Sequence, residues 1–320
     1  MARLHSGWKA VAVAGGLAAV VGLASRASGS PEKTRVKTAA IAKVATAPEP
    51  PSVLIGDASL QGKLIIDKLE REGDKLVAPL DGGGKAILTL DPWLQEAAED
   101  VLERAKAPLG AIVVTSVDGR VLAFAGRRNR KPIKKRDFSL PAKVWAPAAS
   151  VFKIVTSAAL LAKGVAPTTK VCYRGGIRSV DAHHLQYEPK RDRACETFSF
   201  GLAKSQNAII AFLSNRHLDK KFLRRFANRF GFEKGIPFAL DTEPSSCQLP
   251  DKPLEFARTC AGFWNSTLSP LGGSMLANVV ATRGLQVLPR IVAEVHREDG
   301  TVLPVVGPAP RRVILFVDDA

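Results

Sequence analysis

Residues 148–154 read Ala148-Ala149-Ser150-Val151-Phe152-Lys153-Ile154. It opens a run from Ser150 to Lys163 that is nearly all apolar and is followed by Gly164. A helix that is apolar on every side is buried in the middle of a fold. We therefore expect this helix to be central, with Ser150 and Lys153 on one of its faces, because residues i and i+3 of a helix are neighbours.

This Ser-x-x-Lys pattern predicts a nucleophile with its base. A serine hydroxyl is a weak nucleophile until a base removes its proton. A lysine can be that base only when it is neutral, and burial lowers its pKa. The pattern also occurs at Ser6 and Ser30, but only Ser150 opens an apolar helix, whose N-terminal N–H groups would face an oxyanion. The alternative is a capping serine and a structural ion pair at Lys153.

A second candidate motif is Ser205-Gln206-Asn207, the one Ser-x-Asn of the chain. It lies inside a predicted helix over 202–213, where polar residues meet an apolar run. A hydroxyl and an amide two residues apart can relay a proton and hold a substrate amide. The alternative is that both side chains cap a loop.

Other elements follow from capping, turn and periodicity signals. Asp91 followed by Pro92 predicts a helix start. Asp118-Gly119 predicts a two-residue turn between two strands. The remaining predicted elements are strands over 86–90, 110–117, 120–125 and 288–295, and helices over 220–230 and 270–283.

The N-terminal residues predict export. Arg3 and Lys9 precede an apolar stretch from Ala10 to Ala24, which indicates a signal peptide or signal anchor over residues 1–30. The alternative is a buried Ala-rich helix. Residues 31–53, rich in Pro, Ala, Lys and Thr, predict a flexible linker. We expect a small β-rich lead-in over 54–85 and the main domain over 86–320.

Composition excludes some classes of protein. Of the 320 residues, 46% are hydrophobic and 24% are charged, which is typical of a globular chain and unlike a disordered one. The net charge of +16 suggests an anionic neighbour. Arg127 to Arg136 holds seven basic residues in ten, which predicts a solvated loop or, alternatively, attraction to anionic lipid or wall polymer. Nucleic acid is not expected, because no aromatic residues are interleaved.

The four cysteines form no Cys-x-x-Cys pair, which argues against a zinc site. Of the three possible pairings, the local one joins Cys172 to Cys195 and Cys247 to Cys260, and an oxidising compartment would permit both bonds. The alternative is unpaired buried thiols. His183 and His184 near Asp181 lack a fourth ligand and predict a surface loop. We expect neither a metal nor a cofactor.

Together these features resemble the transpeptidase domain of penicillin-binding proteins, with Ser-x-x-Lys followed by Ser-x-Asn. The resemblance runs from about residue 86 to 300 and includes Leu88 to Gln95, the 110–125 hairpin and Ser269-Pro270-Leu271. Cys172 and Cys195 lie where some members carry a cysteine pair. Two features depart from the family: Pro-Gly does not precede Ser150, and the third motif, Lys-Thr-Gly, does not occur. We expect that the sequence is truncated just before that motif.

The resemblance implies an α/β fold in the α+β sense. An antiparallel sheet would be flanked by helices around a central catalytic helix, and the C-terminal part of the sheet would be missing. Ser150 would be the acylated nucleophile and Lys153 its base, while Ser205 and Asn207 would serve proton transfer and substrate binding.

The implied function is that of a D,D-transpeptidase at the periplasmic face of the cytoplasmic membrane. It would cross-link peptidoglycan stem peptides, bind β-lactam antibiotics and contact membrane-embedded cell-wall synthesis proteins. The alternatives are a D,D-carboxypeptidase, a β-lactamase-type hydrolase, or a non-catalytic wall-binding or scaffold protein, which the absence of Lys-Thr-Gly favours.

Overall fold

A computed structural model describes residues 55–129 and 135–313. The predicted signal segment over 1–30 and the linker over 31–53 lie outside these residues. Within the described ranges, none of the helices has both the length and the apolar character needed to span a bilayer.

The described residues form both helices and strands, which confirms the predicted α+β class. The helices are α1 (Pro92–Ala105), α2 (Lys153–Ala162), α3 (Phe198–Ala203), α4 (Asn207–His217), α5 (Lys220–Arg229), α6 (Pro253–Cys260) and α7 (Pro270–Ala281). Short 3-10 turns cover Asp57–Leu60, Ile66–Lys68, Ala149–Phe152 and Ala182–Leu185. The strands are β1 (Ile55–Gly56), β2 (Glu70–Glu72), β3 (Lys75–Pro79), β4 (Lys85–Leu88), β5 (Leu109–Thr115), β6 (Val121–Arg128), β7 (Lys135–Arg136), β8 (Lys170–Tyr173), β9 (Ala194–Thr197), β10 (Ser246–Cys247), β11 (Ser266–Thr267), β12 (Leu285–Gln286), β13 (Val292–His296), β14 (Val302–Val306) and β15 (Arg311–Arg312).

The largest sheet joins the two ends of the described chain. Its six strands run in the order β1-β14-β13-β4-β3-β2, and every neighbouring pair is antiparallel except β1 and β14. The domain boundary expected after residue 85 falls inside β4, which pairs with β3 on one side and β13 on the other. The lead-in is therefore an integral part of this sheet rather than a separate unit.

A buried carboxylate near the start of the described chain binds backbone groups of segments that lie much later in the sequence. Asp57 is 4% exposed and accepts hydrogen bonds from the backbone N–H groups of Ala239 (2.8 Å), Ile291 (2.9 Å) and Val292 (2.9 Å). Burial raises the pKa of Asp57 above its ordinary value, although these three donors act in the opposite direction. No sequence signal pointed to this contact.

The predicted hairpin of β5 and β6 and the helix before it are confirmed, but the two-residue turn is wrong. The Ser116 N–H donates to the Arg120 carbonyl at 2.9 Å, which leaves Val117, Asp118 and Gly119 in the loop. β5, β6 and β7 form a three-stranded antiparallel sheet. Gly119 in the connecting turn has a φ of 86°, a region that glycine adopts without strain. The Asp91 carboxylate accepts a hydrogen bond from the Leu94 N–H at 2.9 Å, so it caps α1 as expected.

The central helix is also present. A 3-10 turn over Ala149–Phe152 leads into α2, and Gly164 follows the helix with a φ of 79°. Phe152, Val155 and Leu160 are completely buried. α2 packs against α4 and α5, so its apolar surface forms the middle of the larger hydrophobic core.

The single helix predicted over 202–213 is wrong, because two helices meet there. α3 ends at Ala203 and α4 begins at Asn207. Between them the Gln206 N–H donates to the carbonyl of Gly201 at 2.8 Å, a contact that ends α3. Ser205 takes a φ of 52° at this break. The apolar pattern of a helix continues through residues 204–206, but the backbone is not helical there.

Two of the cysteines are bonded. Cys172 on β8 and Cys195 on β9 lie directly opposite each other and form a disulfide. Cys247 and Cys260 are free and buried, so the second local pairing is wrong. Paired strands hold Cys172 and Cys195 face to face, whereas Cys247 lies on β10 and Cys260 is the last residue of α6. Burial raises the pKa of both free thiols to about 12.

Candidate active site

Three polar side chains from two separate segments meet at the start of α2. Lys153 Nζ lies 2.9 Å from Ser150 Oγ and 3.1 Å from Ser205 Oγ. The Ser205 hydroxyl donates to Ser150 Oγ at 2.9 Å. The three atoms therefore form a closed triangle, and the two sequence motifs come together in space. We call these three residues the serine–lysine cluster.

Burial differs sharply within this cluster. Ser150 is exposed and Ser205 is half-buried, whereas Lys153 is 1% exposed. Burial lowers the pKa of Lys153 from 10.5 to about 8, because water no longer stabilises the ammonium form. An exposed nucleophile thus contacts a buried base whose amine is partly neutral near physiological pH.

The contacts of Lys153 do not fit a structural ion pair. Its Nζ donates to the backbone carbonyl of Ala261 at 2.7 Å, in addition to the two serine hydroxyls. Within residues 55–129 and 135–313, no carboxylate forms a salt bridge with this lysine. These three partners are uncharged, so they hydrogen-bond the amine without stabilising its positive charge as a carboxylate would. The lysine can therefore become neutral, which a proton acceptor requires.

The segment after α6 was not anticipated as part of the site. Ala261 supplies the carbonyl that holds Lys153, and the hydroxyl of Thr156 on α2 donates to the carbonyl of Cys260 at 2.8 Å. Gly262 lies against the turn that carries Ser150. The signal available in the sequence was a glycine between Ala261 and Phe263, which does not reveal which residue it contacts.

Backbone strain occurs on both sides of the cluster. Ala149 has a φ of 49° and Ser205 a φ of 52°, in the left-handed region that non-glycine residues seldom adopt. These conformations place the two hydroxyls together. Strain of this kind is found where the surrounding structure holds a functional geometry.

Asn207 lies at the N-terminal end of α4, outside the hydrogen-bonded serine–lysine cluster. It begins α4, and its Nδ2 donates to the carbonyl of Ile177 at 2.9 Å. Its Oδ1 is buried and has no hydrogen-bond partner among the described residues. The hydrogen bonds that join Ser150, Lys153 and Ser205 do not include Asn207.

The histidine pair belongs to a self-contained turn. His184 Nδ1 accepts the Asp181 N–H at 2.9 Å, and its Nε2 lies 3.0 Å from the carbonyl of Arg174. Both ring nitrogens are therefore engaged with backbone groups. Burial is the largest effect on His184 and lowers its pKa, which favours the neutral ring. Asp181, His183 and His184 bring their side-chain ligand atoms within 4.8 Å of one another, yet His184 has no nitrogen left for a metal.

The basic run is partly neutralised where the structure describes it. Arg127 pairs with Glu103 at 2.9 Å, Arg128 with Asp137, and Arg136 with Glu99 at 2.5 Å. These arginines fasten β6 and β7 to neighbouring carboxylates. Residues 130–134 lie outside the described ranges.

Solved structures share this fold. Penicillin-binding protein A of M. tuberculosis, in its ceftriaxone acyl-enzyme complex, is 21% identical, with a TM-score of 0.57 over 71% of this chain and 57% of that one. The D,D-transpeptidase domain of a peptidoglycan glycosyltransferase from Eggerthella lenta is 24% identical, with a TM-score of 0.57 over 72% and 62%. A peptidoglycan synthetase from Bifidobacterium adolescentis is 18% identical, with a TM-score of 0.59 over 72% and 44%. The chain thus spans about three fifths of the length of each of the first two of these proteins.

A search of curated protein sequences finds no match. A family match does exist and covers most of the chain. The family described as the penicillin binding protein transpeptidase domain matches residues 109–310, a range that contains the whole serine–lysine cluster. The chain belongs to the penicillin-binding protein transpeptidase family.

Proposed function

We propose that the chain is a penicillin-binding D,D-transpeptidase that forms an acyl-enzyme through Ser150. The observation that carries this proposal is the serine–lysine cluster, in which an exposed hydroxyl contacts a buried amine at 2.9 Å. The substrate would be a peptidoglycan stem peptide ending in D-Ala-D-Ala. The family and the β-lactam acyl-enzyme complexes of the M. tuberculosis protein support this assignment.

The cluster suggests the order of the chemical steps. Neutral Lys153 accepts the Ser150 proton while Ser150 Oγ attacks the penultimate carbonyl carbon. Ser205, which contacts both groups, passes the proton to the departing D-Ala amine. The amine of a second stem peptide then attacks the ester, loses a proton to the cluster and releases Ser150. A β-lactam would follow the first step only, because its opened ring remains attached and blocks the second.

For Asn207 the structure supports a positioning role. Its amide holds the carbonyl of Ile177, an exposed residue, so it links α4 to the segment after β8. Direct contact with a substrate amide stays a prediction for this residue. Asn207→Ala tests it, because loss of a substrate contact raises KM whereas loss of positioning also lowers kcat.

The first experiment is covalent labelling with a fluorescent penicillin. We expect a labelled band for the native chain, no band for Ser150→Ala, and a normal band for Ser179→Ala, which removes an exposed hydroxyl outside the cluster. Intact mass should show one added penicillin on the native protein. A band that persists in Ser150→Ala would contradict the assignment of the nucleophile.

Two outcomes would redirect the proposal. Rapid loss of the label in water, with release of hydrolysed product, would indicate a carboxypeptidase or a β-lactamase-type hydrolase. Absence of label from a folded chain would favour a wall-binding or scaffold protein, the candidate supported by the absence of Lys-Thr-Gly from these 320 residues. Repeating the assay with any coding sequence that follows Ala320 separates that candidate from an incomplete active site.

We further propose that the chain acts outside the cytoplasm, near the membrane that supplies its substrates. The Cys172–Cys195 disulfide supports an oxidising compartment. The basic and then apolar N-terminal stretch supports export. Fusing residues 1–30 to a reporter that is active only after export would test this proposal directly.

A further inference from the structure

A concave site of about 400 Å³ lies on the outer face of α5. Six cationic side chains line it: Lys221, Arg224, Arg225, Arg229, Lys234 and Arg311. None of them belongs to the serine–lysine cluster. So many like charges around one cavity repel one another, and the repulsion is relieved when an anion binds between them.

Little of this charge is compensated within the described residues. Among the described residues, Glu233 is the one carboxylate that forms a salt bridge with any of the six cations, at 4.0 Å from Arg224. Arg225 and Arg229 lie over the rings of Phe222 (4.8 Å) and Phe226 (5.3 Å), contacts that orient a guanidinium without neutralising it. Oriented guanidinium groups suit phosphate, because their planar donors pair with its oxygens.

Two hydrogen bonds within the protein hold the Arg311 side chain in place. Its Nη2 donates to the carbonyl of Arg229 at 3.0 Å and to Gln286 Oε1 at 2.8 Å. Arg311 therefore closes the cavity at the end of α5 with little freedom left to lose on binding. Preorganisation of this kind favours a specific ligand over diffuse counterions.

The cationic cavity borders an apolar one. A second cavity, of about 330 Å³, shares Lys234 and Arg311 with the first, and its other walls include Ile236, Met275 and Leu288. A third, of about 650 Å³, shares Leu288 with the second and continues the apolar lining past Val306. We call these three neighbouring cavities, which share lining residues in series from the cations to the apolar side chains, the path.

We propose that this path binds an anionic phospholipid of the membrane surface. The phosphate head group occupies the cationic cavity at α5, and an acyl chain follows the groove past Ile236, Met275 and Leu288. A soluble phosphate would use the cations but leave the apolar walls exposed to water, so the shape and chemistry of the path favour the amphiphile.

The test uses the full chain and a photoreactive phosphatidic acid with a diazirine in its acyl chain, presented in phosphatidylcholine vesicles. After irradiation, peptide mapping should find label on the peptides that contain Ile236 and Met275. Unlabelled phosphatidic acid should compete for this label, and phosphatidylcholine should not. The peptide map keeps the readout separate from any insertion of the apolar stretch at Ala10 to Ala24.

Two variants with equal loss of charge give the control. Arg225→Gln with Arg229→Gln should lower labelling at these peptides about tenfold, because charge-assisted contacts to the phosphate are lost. Lys190→Gln with Lys252→Gln removes the same charge from exposed positions elsewhere and should leave the labelling unchanged. Lys234→Gln, at an exposed side chain, gives a second variant should the arginine pair lower the melting temperature.

Three results would overturn the proposal. The first is label confined to peptides outside the path. The second is an equal loss of label in both double variants, which would indicate a general effect of charge. The third is full competition by inorganic pyrophosphate at the concentration of the lipid, which would indicate a site for soluble anions.

Discussion

A Cβ atom on Gly262 would lie 2.1 Å from the carbonyl oxygen of Ala149, the residue immediately before Ser150. The same atom would lie 3.0 Å from the Ser150 nitrogen, and Gly262 has a φ of 85°. The segment after α6 therefore packs directly on the backbone that carries the proposed nucleophile. No other residue type fits this contact without movement.

Gly262→Ala should slow the acylation of Ser150 by about 100-fold, because displacement of a reacting atom by about 1 Å can have an effect of that size. The measurement is the second-order rate constant for a fluorescent penicillin, together with the melting temperature. Gly235→Ala is the control, since nothing lies within 4 Å of a Cβ at that position. A native rate constant in a folded Gly262→Ala variant would contradict this prediction.

The rate of acylation should rise with pH, with its midpoint near the Lys153 pKa of about 8. Below that pH the amine is protonated and cannot accept the Ser150 proton. Lys153→Arg keeps the positive charge at all accessible pH values and should remove activity throughout. A flat pH profile in the native chain would show that another group is the base.

The same pKa predicts how stability depends on pH. The folded pKa of Lys153 is about 8 and its ordinary value is 10.5, so the folded state binds fewer protons between these values than the unfolded state. The free energy of unfolding should therefore gain a positive slope with pH across that window. Lys153→Met should lack this contribution, which a denaturant titration at several pH values would measure.

Ala149→Gly should keep activity and leave the free energy of unfolding unchanged or up to about 1 kcal/mol higher. The φ of 49° strains an alanine, and relief of this strain offsets the greater entropy of an unfolded glycine. Ala148→Gly is the matched control, because its φ is −63° and its side chain is buried. The control should lose about 1 kcal/mol, and equal losses in both variants would argue against strain at Ala149.

Asp57→Ala should destabilise the protein by about 3 kcal/mol or more, because three buried N–H groups would lose their acceptor. Denaturant unfolding measures the change. Asp100→Ala, at an exposed position on α1, should have a much smaller effect. Equal effects of the two substitutions would mean that the hydrogen bonds of the Asp57 carboxylate do not stabilise the fold.

Thiol labelling should distinguish the two pairs of cysteines. The oxidised, denatured chain should react at Cys247 and Cys260 only, and the native chain at neither, because both thiols are buried and have a pKa of about 12. Replacing both Cys172 and Cys195 with serine should lower the free energy of unfolding by about 3 kcal/mol. A chain without free thiols after denaturation would contradict this assignment.

Much of the local structure could be predicted from single segments. The cap at Asp91, the turn at Gly119 and the apolar helix after Ser150 each depend on neighbouring residues alone. The break at Ser205 could not be predicted in this way, because helical periodicity runs through it. Its cause is the packing of α3 on α4, where a Cβ on Gly201 would lie 2.7 Å from Ile209 Cγ2.

The family and the chemical types at the site follow from the sequence, since Ser150 and Lys153 form one recognisable motif at the start of an apolar helix and Ser205 belongs to a second motif. Only the packing of the chain shows that the Ala261 carbonyl holds the lysine, that Gly262 supports the serine, and that Cys247 and Cys260 remain unbonded. The two kinds of feature differ in how far apart the interacting residues lie along the chain. Caps, turns and helical faces arise from residues a few positions apart, whereas these contacts join residues that only the packing of the core brings together.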